Sequence, residues 1–190
     1  MNGDSIWYTR NGDIVTMHVT AKIFNNSSDN INMARAAKDI VSDIKSTYEG
    51  KFEWSDNKTY NLKVDMDLKV ATSMKDVENS DHLFVLADSD SKGARGATSM
   101  LGGKVMTLAS SDFANNNWLS NNLSYNKTFT ATHEFGHAIG LSHSQNPFNI
   151  MKQGGVVHNS NSNQRVIMLQ QQNNLNNNLV VDIYNLGLKW

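Results

Sequence analysis

The sequence contains no cysteine and a single proline among its 190 residues. The absence of cysteine excludes a disulfide scaffold, a cysteine-ligated metal site and a thiol nucleophile. The chain also lacks an excess of either charge, because 17 basic residues stand against 18 acidic ones and the formal net charge is −1. This balance is not that of a chain built to neutralise phosphates, and we expect no nucleic-acid partner.

Long apolar runs are absent as well. No apolar run approaches the roughly 18–20 residues that a membrane-spanning helix needs, so we expect no membrane span. The first five residues, MNGDS, lack the basic region and the apolar region of a secretory signal peptide. Either the protein is not exported by that route, or the sequence is that of a mature or excised domain. We favour the second interpretation and expect an extracellular location, as a secreted protein or as a delivered effector.

The length suits one domain with a sizeable hydrophobic core. Alternation of apolar and polar residues with period 2 predicts two half-buried strands, at 15–23 and 62–70. The apolar run HLFVLA at 82–87 predicts a more buried strand, and a fourth strand is expected near 104–109. The chain therefore has enough strands for one sheet.

Two helices are predicted between and after these strands. Apolar residues at helical spacing indicate an amphipathic helix over about 31–48, with Asp29 or Asn30 as its N-cap. A second helix is expected to begin near residue 127 or 128. The remaining segments are polar and predict loops at 88–96 and 115–126, while the Asn- and Gln-rich tail at 159–178 carries only a weak helical pattern.

Residues 133–143 read HEFGHAIGLSH and fill all five fixed positions of the pattern H-E-x-x-H-x-x-G-x-x-H. Four residues make slightly more than one helical turn, so His133 and His137 project from the same face and can share one metal ion. Gly140 can adopt a positive φ, end the helix and turn the chain sharply. That turn lets His143 reach the same metal. Three neutral imidazoles with an open fourth position are the ligand set of a catalytic zinc site.

Glu134 directly follows the first histidine, so it is better placed to reach a water molecule on the metal than to act as a ligand. Zinc lowers the pKa of bound water from about 16 to about 7. Glu134 would then take a proton from this water as general base and pass it to the leaving amine. The predicted function is zinc-dependent hydrolysis of peptide bonds, with one catalytic zinc ion as cofactor and a protein or peptide as substrate.

This motif resembles that of the metzincin clan of zinc endopeptidases, whose members also carry a methionine-containing turn beneath the metal. Asn149-Ile150-Met151 follows the third histidine closely, and the resemblance implies that Met151 forms a hydrophobic floor under the imidazoles. Within the clan, Ser144 after the third histidine and Gly136 before the second resemble the matrixins. Gln153 stands where the astacin-like and serralysin-like families would have a tyrosine.

The resemblance implies an α+β catalytic domain with a twisted mixed β-sheet, a long N-terminal helix, an active-site helix and a short C-terminal subdomain. Residues from 1 to about 140 would form the N-terminal subdomain, and residues from about 141 to 190 the C-terminal one. The strand at 105–109 would be the sheet edge that pairs with an extended substrate, through Val105, Met106, Thr107, Leu108 and Ala109. Residues 147–156 would line the pocket beside the scissile bond, and we expect a monomer.

Further metal sites have less support in the sequence. The segment DSDSKG at 88–93 superficially resembles the start of a calcium loop. Lys92 occupies a ligand position and Ser99 stands where such a loop has glutamate, so an EF-hand is excluded and only a looser calcium site stays open. The other three histidines are isolated and are interpreted as non-ligands: His18, His82 and His158. A second, structural zinc is therefore not predicted.

Two alternatives stay open beside the endopeptidase. The cleft could hold a metal and a partner with little or no cleavage, as an interaction or adhesion module. The chain could also be the toxin domain of a larger delivered polypeptide. Glu134 favours the enzyme over the module, because a domain that only binds does not need a general base at this position.

Overall fold

The computed structural model describes residues 6–53, 58–88, 96–98, 102–114, 124–145 and 149–153. These residues form seven strands and two α-helices. In chain order the elements are β1 (Ile6–Asn11), β2 (Ile14–Asn26), α1 (Met33–Tyr48), β3 (Gly50–Glu53), β4 (Thr59–Val70), β5 (His82–Ala87), β6 (Gly96–Thr98), β7 (Val105–Ala109) and α2 (Ser124–Ala138). Two short 3-10 turns lie at Met74–Asp76 and Ser110–Asp112.

All seven strands belong to one sheet with the order β3-β4-β2-β5-β7-β6, and β1 pairs with β2 beside this path. The β2–β4, β2–β5 and β5–β7 pairs are parallel, whereas the β1–β2, β3–β4 and β6–β7 pairs are antiparallel. Strand β4 pairs with one side of the longest strand, β2, whereas β1 and β5 pair with successive parts of its other side. The predicted α+β fold with a mixed sheet is therefore confirmed.

The expectation that residues 105–109 form the sheet edge is wrong. β7 pairs with β5 on one side and with β6 on the other, where Ala97 lies opposite Thr107. The edge strand of this half of the sheet, within the described residues, is therefore β6. The loop predicted at 88–96 ends at the first residue of β6, and the sequence does not predict this strand because three residues are too few to show a strand pattern.

The core lies between one face of the sheet and the two helices. Alternate residues of β2 are buried, and α1 turns its apolar stripe onto them and onto the neighbouring strands. The most buried members of this layer are Met17, Val19, Ala21, Ile23, Ile40, Ile44 and Tyr48. Side chains repeat every 2 residues along a strand and every 3.6 residues around a helix. The apolar residues of each element therefore lie on one face, and these faces pack against each other.

Helix α1 begins two residues later than predicted. Its N-cap is Asn32, whose side chain accepts a hydrogen bond from the Arg35 backbone N–H at 3.0 Å. Asp29 lies outside the helix, where its carboxylate accepts a hydrogen bond from Ser110 Oγ at 2.6 Å. The predicted N-caps, Asp29 and Asn30, are therefore corrected to Asn32.

Other boundaries differ in the same modest way. Helix α2 begins at Ser124, inside the segment predicted to be loop, and the short strands β1 and β3 have no clear signal in the sequence.

The tail at 159–178 lies outside the described residues. So does most of the predicted C-terminal subdomain, so this subdomain and its boundary near residue 140 both stay predictions. No helix in the described part of the chain is long and apolar enough to cross a membrane.

The α1–sheet layer predicts a stability contrast between two positions of one helix. Ile44 is fully buried and Lys38 is exposed. We expect Ile44→Ala to lower the free energy of unfolding by about 2–5 kcal/mol, because it leaves a cavity against the sheet. Lys38→Ala should change it by less than about 0.5 kcal/mol. Urea unfolding followed by circular dichroism measures both, and equal effects would contradict the assignment of the buried face.

Candidate metal centre

Helix α2 brings the first two histidines of the motif together. His133 and His137 lie one turn apart on the same face, and their ring centroids are 4.8 Å apart. His133 is buried and His137 is partly buried, so this face of the helix extends from the core toward solvent. The helical spacing of the sequence motif thus produces a pair of adjacent imidazoles.

The chain then turns sharply at the end of α2. Gly140 has a φ of 91°, in the region that favours glycine. Its N–H donates to the His137 carbonyl at 2.9 Å, and the Leu141 N–H donates to the Gly136 carbonyl at 2.8 Å. This pair of bonds is a Schellman motif, which satisfies carbonyls at the helix end. The turn predicted from Gly140 is present in the structure.

After this turn, His143 returns to the two helical histidines. Its ring centroid lies 5.4 Å from that of His133 and 4.6 Å from that of His137. One nitrogen from each of the three rings lies within 4.8 Å of the other two, and the Nε2 atoms of His137 and His143 are 3.1 Å apart. The structure therefore brings together all three histidines that the sequence motif selected.

Two backbone carbonyls fix the rings of the helical histidines. His133 Nδ1 donates to the Ile150 carbonyl at 2.6 Å, and His137 Nδ1 donates to the Leu141 carbonyl at 2.7 Å. A carbonyl only accepts hydrogen bonds, so each Nδ1 carries a hydrogen, and in the neutral ring Nε2 then has its lone pair available for a metal.

The burial of His133 and the chemistry of the three rings suit a metal as well. Burial lowers the pKa of His133, which favours the neutral form that a metal ligand requires. Three imidazoles, two of them with Nδ1 already engaged, are a nitrogen donor set that suits zinc. The residues present therefore fit a zinc ion held by His133, His137 and His143.

Met151 lies against the active-site helix. It is fully buried, and a Cβ added to Gly136 would lie 2.3 Å from its sulfur and 2.7 Å from the Tyr48 hydroxyl. Glycine at 136 therefore allows this close approach. The segment that carries Met151 is tied to the third histidine, because the Ser144 N–H donates to the Met151 carbonyl at 2.9 Å. Met151 therefore packs as a buried apolar side chain against helix α2, and its place beneath the imidazoles stays a prediction.

Glu134 is almost fully buried next to this cluster, with 6% of its surface exposed. The Thr98 hydroxyl on β6 donates to Glu134 Oε2 at 2.6 Å and lies 3.0 Å from the Glu134 backbone carbonyl. Sequence reasoning does not find Thr98, which lies 36 residues before Glu134 in a segment with no regular pattern. No local signal could identify it, because only strand pairing brings β6 to the helix.

The other described histidines lie apart from the cluster. His18 is on β2, where Nδ1 lies 3.0 Å from Asp65 Oδ2 and the ring stacks on Trp7. His82 is buried on β5, and burial lowers its pKa to about 4. His158 lies outside the described residues.

Two other predictions also fall outside the described residues. They concern positions 89–93 of the calcium-like segment and several residues predicted to line the pocket, among them Pro147.

The chain matches a known family and is similar in fold to a solved structure. The family model that matches the chain is described as Matrixin and covers residues 8–172. Among solved structures, archaemetzincin from Methanopyrus kandleri is similar, with a TM-score of 0.50 over 82% of this chain and 96% of that chain. The two sequences are 10% identical, so this likeness concerns the fold alone. A search of curated proteins gives no significant match.

The Schellman turn predicts that Gly140 is needed for metal affinity. We expect Gly140→Ala to weaken zinc binding at least about ten-fold, because strain at positive φ displaces His143 from the cluster. Gly12→Ala is the matched control, since Gly12 also has a positive φ of 62° but lies in the β1–β2 turn. It should cost similar stability and leave affinity unchanged. Competition with a chromophoric chelator measures both, and equal zinc affinities in the two variants would contradict the prediction.

Proposed function

We propose that this chain, which belongs to the matrixin family, is a zinc-dependent endopeptidase in which Glu134 is the general base. Family and fold together indicate a zinc metallopeptidase that acts on proteins or peptides. The internal cleavage of polypeptides and the role of the carboxylate go beyond what family and fold indicate. Both are supported by the arrangement of this chain's own residues.

The observation that carries the proposal is the convergence of three imidazole nitrogens within 4.8 Å of one another, beside a buried carboxylate. Three histidine ligands leave a coordination position open, and an open position distinguishes a catalytic zinc site from a structural one. A purely structural site would have no use for Glu134 next to the first ligand. The donor set and the acid together therefore favour hydrolysis over simple metal storage.

The chemistry divides between the metal and the protein. When bound by the three histidines, zinc would supply Lewis acidity, which polarises the scissile carbonyl and acidifies a nearby water. Glu134 accepts a proton from the attacking water as the water oxygen bonds to the carbonyl carbon. The peptide C–N bond then breaks, and Glu134 returns the proton to the leaving amine. The products are a new carboxyl end and a new amino end.

Edge strand β6 supports the choice of an extended polypeptide as substrate. On one side β6 pairs with β7, and no described strand pairs with its other side. An exposed strand edge can bind an extended peptide through backbone hydrogen bonds, largely independently of the peptide sequence. Because β6 also contacts Glu134 through Thr98, a peptide added to this edge would lie next to the general base.

Isosteric removal of the carboxylate tests the proposal. With zinc-loaded protein and a quenched peptide library, we expect Glu134→Gln to lower kcat by about 10²–10⁴-fold, because the proton acceptor is lost. Zinc affinity should be retained, since Glu134 is not a ligand. Glu78→Gln, at an exposed position on the surface, is the matched control and should keep full activity.

The same assay separates the enzyme from the interaction module. A chelator should abolish cleavage by the unmodified chain, and one equivalent of zinc should restore it. Equal activity in the unmodified chain and Glu134→Gln would remove Glu134 from the mechanism. Stoichiometric zinc binding with no cleavage of any peptide by the unmodified chain would refute the endopeptidase and favour a binding module.

A further inference from the structure

We infer that Thr98 is a positioning residue, which holds the carboxylate of Glu134 in the orientation that proton transfer requires. This inference rests on the proposed function, because it concerns how the general base of that reaction is placed. The residue lies on β6, the same strand that is proposed to pair with the substrate. Edge strand β6 would therefore have two roles, one through its backbone and one through a side chain.

The first contact is a hydrogen bond to one carboxylate oxygen. Thr98 Oγ1 donates to Glu134 Oε2 at 2.6 Å, near the short end of the range for O–H···O hydrogen bonds. The same hydroxyl is 3.0 Å from the Glu134 backbone carbonyl. A hydroxyl has one hydrogen, and the closer Oε2 is the better acceptor. The Thr98 hydroxyl is thus close to both the side chain and the backbone carbonyl of Glu134.

The second contact is the close approach of the β6 backbone at Gly96. A Cβ added there would lie 2.4 Å from Thr130 Cγ2 and 3.0 Å from Glu134 Oε1. Glycine at 96 therefore lets the strand lie directly on helix α2. Oε2 accepts the hydrogen bond from Thr98, and Oε1 lies near the space that a Cβ at position 96 would fill, so both Thr98 and the missing side chain of Gly96 bear on the place of the carboxylate.

These contacts matter because a glutamate side chain has three rotatable bonds. Without a partner, the carboxylate would sample several rotamers, and few of them would place an oxygen correctly for the proton of the attacking water. The Thr98 bond occupies Oε2 and leaves Oε1 to accept that proton. The hydroxyl itself needs no contact with substrate or metal, so its effect must act through Glu134.

Three variants separate positioning from a merely structural role. Thr98→Val removes the hydroxyl with little change of shape, Thr98→Ser retains it, and Thr20→Val removes a hydroxyl from β2, outside the site. We expect Thr98→Val to lower kcat at least about ten-fold with KM changed less than about two-fold, since substrate binding does not use the hydroxyl. Thr98→Ser should restore kcat to within about three-fold, and Thr20→Val should behave as the unmodified chain.

A structural readout tests the same inference without activity. In crystals of the metal-free protein, the Glu134 carboxylate should accept a hydrogen bond from the hydroxyl at position 98 in the unmodified chain and in Thr98→Ser. In Thr98→Val, the Glu134 carboxylate should move away from residue 98. Zinc affinity should be equal in all three proteins, because the hydrogen bonds of the Thr98 side chain go to Glu134 and not to the histidine cluster. If Thr98→Val does not fold, Thr98→Ala, which also lacks the hydroxyl, replaces it with the same expected results.

The inference is overturned if Glu134 keeps its position in Thr98→Val, or if Thr98→Ser loses as much kcat as Thr98→Val. It is also overturned if KM alone changes, because the hydroxyl would then act on substrate binding. The proposed function fails in a different way, by the inactivity of the unmodified zinc-loaded chain on every peptide. In that case the crystal structures still decide whether Thr98 positions Glu134.

Discussion

Two hydrogen bonds from histidine Nδ1 atoms to backbone carbonyls are the constraint on which the site depends. The Ile150 carbonyl fixes the ring of His133, and the Leu141 carbonyl fixes that of His137. Both carbonyls belong to the chain that follows the active-site helix, so the fold of that segment determines which nitrogen each ring offers. A metal site of this kind is prepared by backbone geometry before any ion binds.

The rest of the fold supports that geometry through close packing around α2. Gly136 leaves space for the buried Met151 and for the Tyr48 hydroxyl, which donates to the Thr132 carbonyl at 3.0 Å. Tyr48 is the last residue of α1, so this bond connects the two helices one residue before the first ligand. Strand β6 contacts Glu134 as well. The active-site helix is thus held by a helix, a strand and the segment after its own C-terminus.

The sequence is sufficient to predict the parts of the site that are local. His133, His137, Gly140 and His143 lie within eleven residues, and helical periodicity with one glycine turn accounts for their convergence. The long strands and α1 are predictable too, because each shows several repeats of its period. Short elements carry too few residues for such a signal, which is why the sequence does not predict β6, and why the resemblance alone placed the sheet edge at 105–109.

Thr98 cannot be predicted for a related reason. Its contact with Glu134 depends on the antiparallel pairing of β6 with β7 and on the packing of β6 against α2, and both are long-range. Nothing in the residues around Thr98 distinguishes it from other threonines of the chain. Side chains that tune a site from another element become visible only in the folded structure.

The central claim, that three imidazoles of this chain bind one zinc ion, is tested most directly by X-ray absorption at the zinc edge. The protein would be loaded with one equivalent of zinc after removal of all metal. The account predicts three imidazole nitrogens at about 2.0–2.1 Å and one oxygen ligand from solvent. Fewer than three imidazoles around the zinc, or a failure to retain one equivalent, would contradict it.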